Sequence, residues 1–306
     1  MSYDWACLQA DLEGRPHPAR HILYTLTGFG ANCWTTYPAD IARAISPDIA
    51  SGLDENWWWQ PVSYGSNGLG GIPGAVPAAF PMQPSIDDGV REMSRLMQLH
   101  PPTQTWGFVA YSEGSIVSGD IMDLCGITQT SGTTPLAAYK DSFIGGVTFG
   151  CPRREKGHTL PNGIDPGGHG IVQPNLVGTP ASVLDFAAGK HMPGSPGQDL
   201  YTTSGYDGDI WTAEDESAVW EIVRTGSFSG AKPLMEQILR MVENPIHGLP
   251  SATVAILDTL DFFVLHGLSP HTSYQNIRPL PGDNRSCWDI ALDYVQWLGR
   301  TVPARQ

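Results

Sequence analysis

The sequence predicts an α/β protein, and three observations carry that expectation. From residue 21 to about residue 150, β-type runs and amphipathic runs follow one another as strand, helix, strand, helix, strand, the order of a parallel sheet covered on both faces. Further along, three helical patterns succeed each other with no strand between them, which predicts a helical lobe inserted into the sheet domain. The chain has 306 residues, 41% of them hydrophobic, enough for one large domain with an added lobe or for two ordinary domains.

Element by element, "HILYTLTGFG" (21–30) reads as a strand of branched and aromatic residues ending in a glycine-punctuated turn. "ENWWWQPVSYG" is a second strand, and the glycine- and proline-dense "SNGLGGIPGAVPAAFPMQP" after it is a loop. In "SIDDGVREMSRLMQLH", Ser85 and Asp88 form a capping pair, and Val90, Met93, Leu96 and Met97 make one apolar stripe, so a helix is expected there. "TQTWGFVAYS" is the next strand, "EGSIVSGDIMDLC" the next helix, and "DSFIGGVTFGCP" a further buried strand closed by Pro152. From His158 to Gln198 the chain reads as a surface excursion with one helical patch at "ASVLDFAAG". "DESAVWEIVR", "AKPLMEQILRMVEN" and "SATVAILDTLDFFVLHGL" are the three helices of the lobe. "SCWDIALDYVQWLGR", with Ser286 and Asp289 as a capping pair, is a final helix that packs back on the sheet. The expected division is an extension over 1–20, a core over 21–209 and 266–306, and a lobe over 210–265.

A net charge of −14 with no Lys/Arg-rich segment excludes a nucleic-acid groove. The acidic start "MSYDWACLQADLEGR" lacks the cationic and apolar regions of a signal peptide, so synthesis in the cytoplasm without Sec export is expected. Asp258 and Asp261 interrupt the longest apolar stretch, so no transmembrane segment is expected. The five cysteines, with no C-x-x-C spacing, read mostly as small buried hydrophobes, a single bridge such as Cys33–Cys151 being compatible with them. "HPARH" offers His17 and His21 at a metal-like spacing, but Pro18 lies inside it and the metalloprotease glutamate is missing; neither metal nor cofactor is expected.

The chemistry concentrates on "WGFVAYSEGSIV" (106–117). A serine nucleophile at a sharp strand-to-helix turn needs small residues two before and two after it, because larger ones collide with the neighbouring strand and helix. Ser112 has Ala110 and Gly114 in those places, with an apolar strand before and a periodic helix after. A helix-capping serine is the plainer reading of the same triplet. In this architecture a carboxylate and then a histidine should follow. "YTTSGYDGDIW" offers Asp207 and Asp209, and "VLHGLSPHTSY" offers His266 and His271, of which the loop position after Pro270 favours His271. The oxyanion donors would be the Glu113 N–H and an N–H in the loop Thr27 to Gly30. "TGFGANC" also imitates the start of a dinucleotide fingerprint, but Cys33 replaces its last glycine.

With "AYSEGSIV", "WWWQPV", "PAAFPMQPSIDDGV", "TFGCPRREKG", "YDGDIW", "DTLDFF" and "PHTSY" in order from about Thr27 to Tyr274, the chain resembles lysin B of phages that infect mycobacteria, serine esterases of the α/β-hydrolase fold related to cutinases. The resemblance implies Ser112 as nucleophile, Asp209 as acid, His271 as base and the Phe29 N–H as second oxyanion donor. It implies hydrolysis of the ester between mycolic acids and arabinogalactan at the host envelope during lysis, by a monomer whose lobe helps shape a lipid groove. Ala110 for glycine and Glu113 for glutamine depart from the pattern; a carboxylate beside the oxyanion must turn outward or pair, for instance with Arg153 or Arg154.

Three further residues are candidate substrate contacts: Trp59, Arg153 and Phe262. Alternation puts Trp57 and Trp59 on one face of their strand and Trp58 on the other. For Arg153, with Arg154 and Lys156, a solvated charge run is the plainer reading, and for Phe262 the core of the lobe is.

Overall fold

The computed structural model describes residues 19–45, 56–64, 82–129, 132–206 and 268–305. Among the described residues five strands form one sheet, parallel throughout: β1 His21–Leu26, β2 Trp57–Pro61, β3 Trp106–Tyr111, β4 Phe143–Phe149 and β5 Val183–Phe186, in the spatial order β2-β1-β3-β4-β5. The strand order reverses between β1 and β3. Connections leave in opposite directions there, opening a crevice at the carboxyl ends of these two strands, where α/β sheets bind their ligands.

Helices α1 (Thr36–Ile45), α2 (Met82–Met97), α3 (Glu113–Cys125) and α5 (Cys287–Thr301) cover the sheet, and α4 (Ser269–Thr272) is a single turn. Alternation along the strands sorts the core into two layers. Ile22, Tyr24 and Leu26 of β1 with Trp106, Phe108 and Ala110 of β3 face α2 and α3, meeting Met93, Leu96, Val117 and Ile121. Leu23, Val109, Tyr111, Val147 and Phe149 face α1 and α5, meeting Ile41, Ile290, Val295 and Leu298. Each fully buried aliphatic side chain of this kind contributes roughly 1.5–3 kcal/mol relative to exposure.

The expected strands β1 to β4 and the helix at "EGSIVSGDIMDLC" are present. Three elements differ from the reading. Helix α1 was not foreseen, and α2 begins at Met82, which places Ser85 inside the helix and buried rather than at its cap. "ASVLDFAAG" contributes a strand, not a helix: Val183, Leu184, Asp185 and Phe186 pair with β4 from Gly146 to Phe149. A four-residue run is too short for periodicity to separate the two states, and its parallel partner decides. The expected lobe over 210–265 lies outside the described residues.

At α5 the capping pair forms as read. Ser286 Oγ accepts from the Asp289 N–H at 3.2 Å, and Asp289 Oδ2 accepts from the Ser286 N–H at 2.8 Å. Ser286→Ala is expected to cost about 1 kcal/mol, read as a lower midpoint in urea unfolding at unchanged slope. His21 is a core histidine: Nε2 donates to the Val302 carbonyl at 3.0 Å, which leaves Nδ1 to accept from the Thr105 hydroxyl at 2.7 Å. Trp57 is buried and donates to the Val295 carbonyl at 3.1 Å, whereas Trp58 is exposed. Cys33, Cys125, Cys151 and Cys287 are free thiols, so the Cys33–Cys151 bridge is not formed. Among the described residues no helix is long and apolar enough to cross a membrane.

Candidate active site

β3 ends at Tyr111 and α3 starts at Glu113, so the chain turns from strand to helix on Ser112 alone. That residue takes φ 56° and ψ −122°, a conformation that costs a non-glycine residue on the order of 1–3 kcal/mol. The Ser112 N–H donates to the Phe149 carbonyl at 2.9 Å, and the Ser112 carbonyl accepts from the Ser115 N–H at 2.9 Å. Its hydroxyl makes no capping hydrogen bond to α3, so the plainer reading of Ser112 as a helix cap does not hold. The small residues flanking it have separate reasons. A Cβ on Gly114 would lie 2.5 Å from the Leu26 carbonyl oxygen and 2.7 Å from that of Thr27, so α3 crosses the end of β1 in direct backbone contact. Ala110 is completely buried among the residues that face α2 and α3, and its methyl group is part of that core.

His271 sits on the one-turn helix α4, behind Leu268 in the left-handed conformation at φ 65°. Its Nδ1 meets Asp199 Oδ2 at 2.8 Å. A carboxylate only accepts, so Nδ1 carries the proton and Nε2 of the neutral ring is left as a base. Nε2 is buried and has no hydrogen-bond partner among the described residues. The ring stacks on Tyr111 with centroids 5.2 Å apart and meets Tyr201 edge-on at 4.8 Å. Gly150, at φ 66°, packs against the ring edge, where a Cβ would come within 2.5 Å of His271 Cε1.

Asp199 lies in the loop after β5 and its side chain is fully buried. Tyr274 Oη donates to Oδ2 at 2.5 Å, and the Tyr201 N–H donates to Oδ1 at 3.1 Å. Burial, together with the neighbouring Asp199 charge, raises the Tyr274 pKa well above its ordinary value, so the phenol keeps its proton and remains a donor. The Asp199 N–H donates to the Ala188 carbonyl at 2.8 Å, and the Asp199 carbonyl takes up the N–H groups of Thr202 and Thr203 at 3.0 Å.

Ser112, Glu113, Phe29 and His271 line one cavity of about 230 Å³, together with Gly28, Met82, Tyr111, Tyr201 and Leu268. It opens at the carboxyl ends of β1 and β3. The Glu113 N–H belongs to the first turn of α3, whose donors have no acceptor within the helix and sit at its positive end. Four of the residues singled out in the sequence are thus at one cavity. The carboxylate on the imidazole is Asp199, which the sequence reading passed over; Asp207, Asp209, Phe262 and His266 lie outside the described residues. Neither Trp59 nor Arg153 lines the cavity. Trp59 donates to Thr25 Oγ1 at 2.8 Å. Arg153 is buried, paired with Asp120 and, at 3.0 Å, with Asp123, and donates to the Pro174 carbonyl. Arg154 is buried and binds the carbonyls of Thr202, His158 and Gly168, so these arginines tie loops to the sheet instead of forming a solvated run.

No family model matches the chain. Endolysin B of Mycobacterium phage D29 is 25% identical over 253 residues, which cover 79% of this chain and 88% of the relative. Endolysin B of Mycobacterium phage L5 is 26% identical over 255 residues, with the same coverage of 79% and 88%. The crystal structure of lysin B from Mycobacteriophage D29 superposes with a TM-score of 0.54 at 23% identity, over 91% of this chain and 100% of that one. The chain is similar to lysin B over most of its length. Its parallel sheet and flanking helices are those of the lysin B fold. The lysin B likeness places the chain in the α/β-hydrolase architecture that its strand order and strand-to-helix serine predict.

Proposed function

We propose that the protein is a serine ester hydrolase of the lysin B type, acting through Ser112, His271 and Asp199. The observation that carries the reading is the imidazole. One of its nitrogens is fixed on a buried carboxylate and the other is unpartnered, in a cavity shared with a serine at a strained apex. Ser112 Oγ attacks the ester carbonyl while His271 Nε2 takes its proton. The Nδ1–H to Asp199 bond holds the tautomer and stabilises the imidazolium. The N–H groups of Glu113 and Phe29 receive the oxyanion, and each such donor is worth on the order of 3 kcal/mol in the transition state. Collapse of the tetrahedral intermediate breaks the ester C–O bond, and His271 returns the proton to the departing alcohol. Water, deprotonated by the same nitrogen, then releases the acyl group as a carboxylic acid.

The substrate we assign is the mycolyl ester of arabinogalactan in the host envelope, the one the resemblance to lysin B implies. The mainly apolar cavity wall, with Phe29, Met82, Tyr201 and Leu268, suits an acyl chain. A fluorophosphonate is expected to label the protein on Ser112, mapped by peptide mass, and to leave Ser112→Ala unlabelled; labelling elsewhere sinks the assignment. Release of mycolic acid from cell walls, set against hydrolysis of short p-nitrophenyl esters, separates this substrate from a broader cutinase-like range.

A further inference from the structure

Resting on the esterase reading of this cavity, we propose that the Glu113 side chain is a positioning residue, held as the neutral acid behind the oxyanion hole, and that its ionisation weakens the hole. The Glu113 side chain does not turn outward. Only 2% of the residue is exposed, it borders the cavity, and its Oε1 has no hydrogen-bond partner among the described residues. Nor does it pair with a cation: Arg153 is engaged by Asp120 and Asp123, and Arg154 by backbone carbonyls. The groups around it are the Ser85 hydroxyl from α2, Tyr64 from the segment after β2 with Cys33 near that phenol, and Tyr111, Tyr201 and His271 on the cavity wall. None of these is a lysine or arginine, and the imidazole is committed to Asp199.

An uncompensated carboxylate in such a place is unfavourable, and burial pushes the Glu113 pKa up to about 8, with Ser85 pulling it part of the way back. The position matters because both halves of the hole border it. The Glu113 backbone supplies one donor. Tyr64, whose phenol donates to the Thr27 carbonyl at 2.5 Å, braces the loop that carries Phe29, the other. A neutral carboxyl leaves the positive end of α3 free to act on the oxyanion. An ionised one sets a like charge beside it where water cannot screen the repulsion.

Two signs follow. Below about pH 8 the group is neutral and the hole is intact; as pH rises through that value kcat falls, approaching tenfold per pH unit. In folding, the unfolded chain ionises first, near 4.5, and the native state only near 8, so this group withdraws stability as pH climbs between those values and no further above them.

The test compares the native protein with Glu113→Gln, or with Glu113→Met should the amide variant not fold. Both quantities, kcat and Tm, are followed from about pH 5 to pH 10. The ratio of kcat at pH 7 to that at pH 9 is expected to be about tenfold in the native protein and close to one in the variant, so a change in absolute rate drops out. The Tm difference between the two is expected to shift in favour of the variant as pH rises from 5 to 8. Equal alkaline limbs with Ser112 still labelled overturn this inference and leave the esterase reading standing, and so does a Tm difference that ignores pH. Absence of both labelling and turnover in the native protein overturns the two together.

Discussion

Asp199→Asn is expected to lower kcat for ester hydrolysis about 10⁴-fold in a protein that still folds and still binds substrate, as a change of this kind does where a buried aspartate orients a catalytic histidine. The amide can present its NH₂ to Nδ1, which then accepts and forces the proton onto Nε2. That nitrogen, the one unpartnered in the cavity, can no longer take the proton of Ser112. With the amide nitrogen in the place of Oδ2, the Tyr201 N–H still donates to the remaining oxygen and Tyr274 Oη turns from donor to acceptor, so the side chain stays in place and the loss falls on kcat with KM little changed. Asp207→Asn and Asp209→Asn serve as the comparison and are expected to stay within a few-fold of the native rate. A collapse confined to Asp209→Asn would make Asp199 a structural carboxylate and return the catalytic role to the residue the family likeness implies.

Gly114→Ala is expected to lower kcat by about 10²–10³-fold, the size of one lost oxyanion donor. The added methyl would meet the backbone oxygens of Leu26 and Thr27, at 2.5 and 2.7 Å, and backbone cannot swing aside as the tip of a side chain can. Either α3 lifts, carrying the Glu113 N–H with it, or the end of β1 retreats and takes the Phe29 loop along. In both cases the two donors move apart while Ser112, His271 and Asp199 keep their residues. The diagnostic is a fall in kcat with labelling of Ser112 retained but slowed. Native-like turnover in Gly114→Ala would mean that the hole is assembled elsewhere.

Strands β1 to β4 were legible because their runs of five to seven residues are rich in branched and aromatic side chains and bounded by turn residues, and the helix after Ser112 because its pattern continues over 13 residues. The serine was legible for a related reason: its requirement is steric and local, and Ala110 and Gly114 declare it within five residues. β5 was not. Its four residues become a strand only by pairing with β4, which begins 40 residues earlier, and nothing inside "VLDF" contains that partner. That nothing in the sequence points to Asp199 has the same source. Once Val183–Phe186 is a strand, Asp199 falls in the loop that follows it, where the acid of such a site belongs and in the required order between Ser112 and His271. Read as part of a surface excursion, it had no reason to be considered. Arg153 and Arg154 mislead in the same way, since a run of cations looks solvated until the acidic side chains of α3 and the folded-back carbonyls of residues 158–202 are brought against it.

If Ser112 is the nucleophile proposed above, the apex at residue 112 also bears on which alcohol can stand there. With φ at 56° the main chain there tolerates a slim, unbranched substituent, whereas a second heavy atom on Cβ would crowd the adjoining peptide groups. Threonine carries the same hydroxyl chemistry, but its extra methyl adds strain at positive φ, a cost this chain bears at Thr36 with φ 69°. The shape of the turn therefore favours a primary over a secondary hydroxyl, in addition to any difference in reactivity.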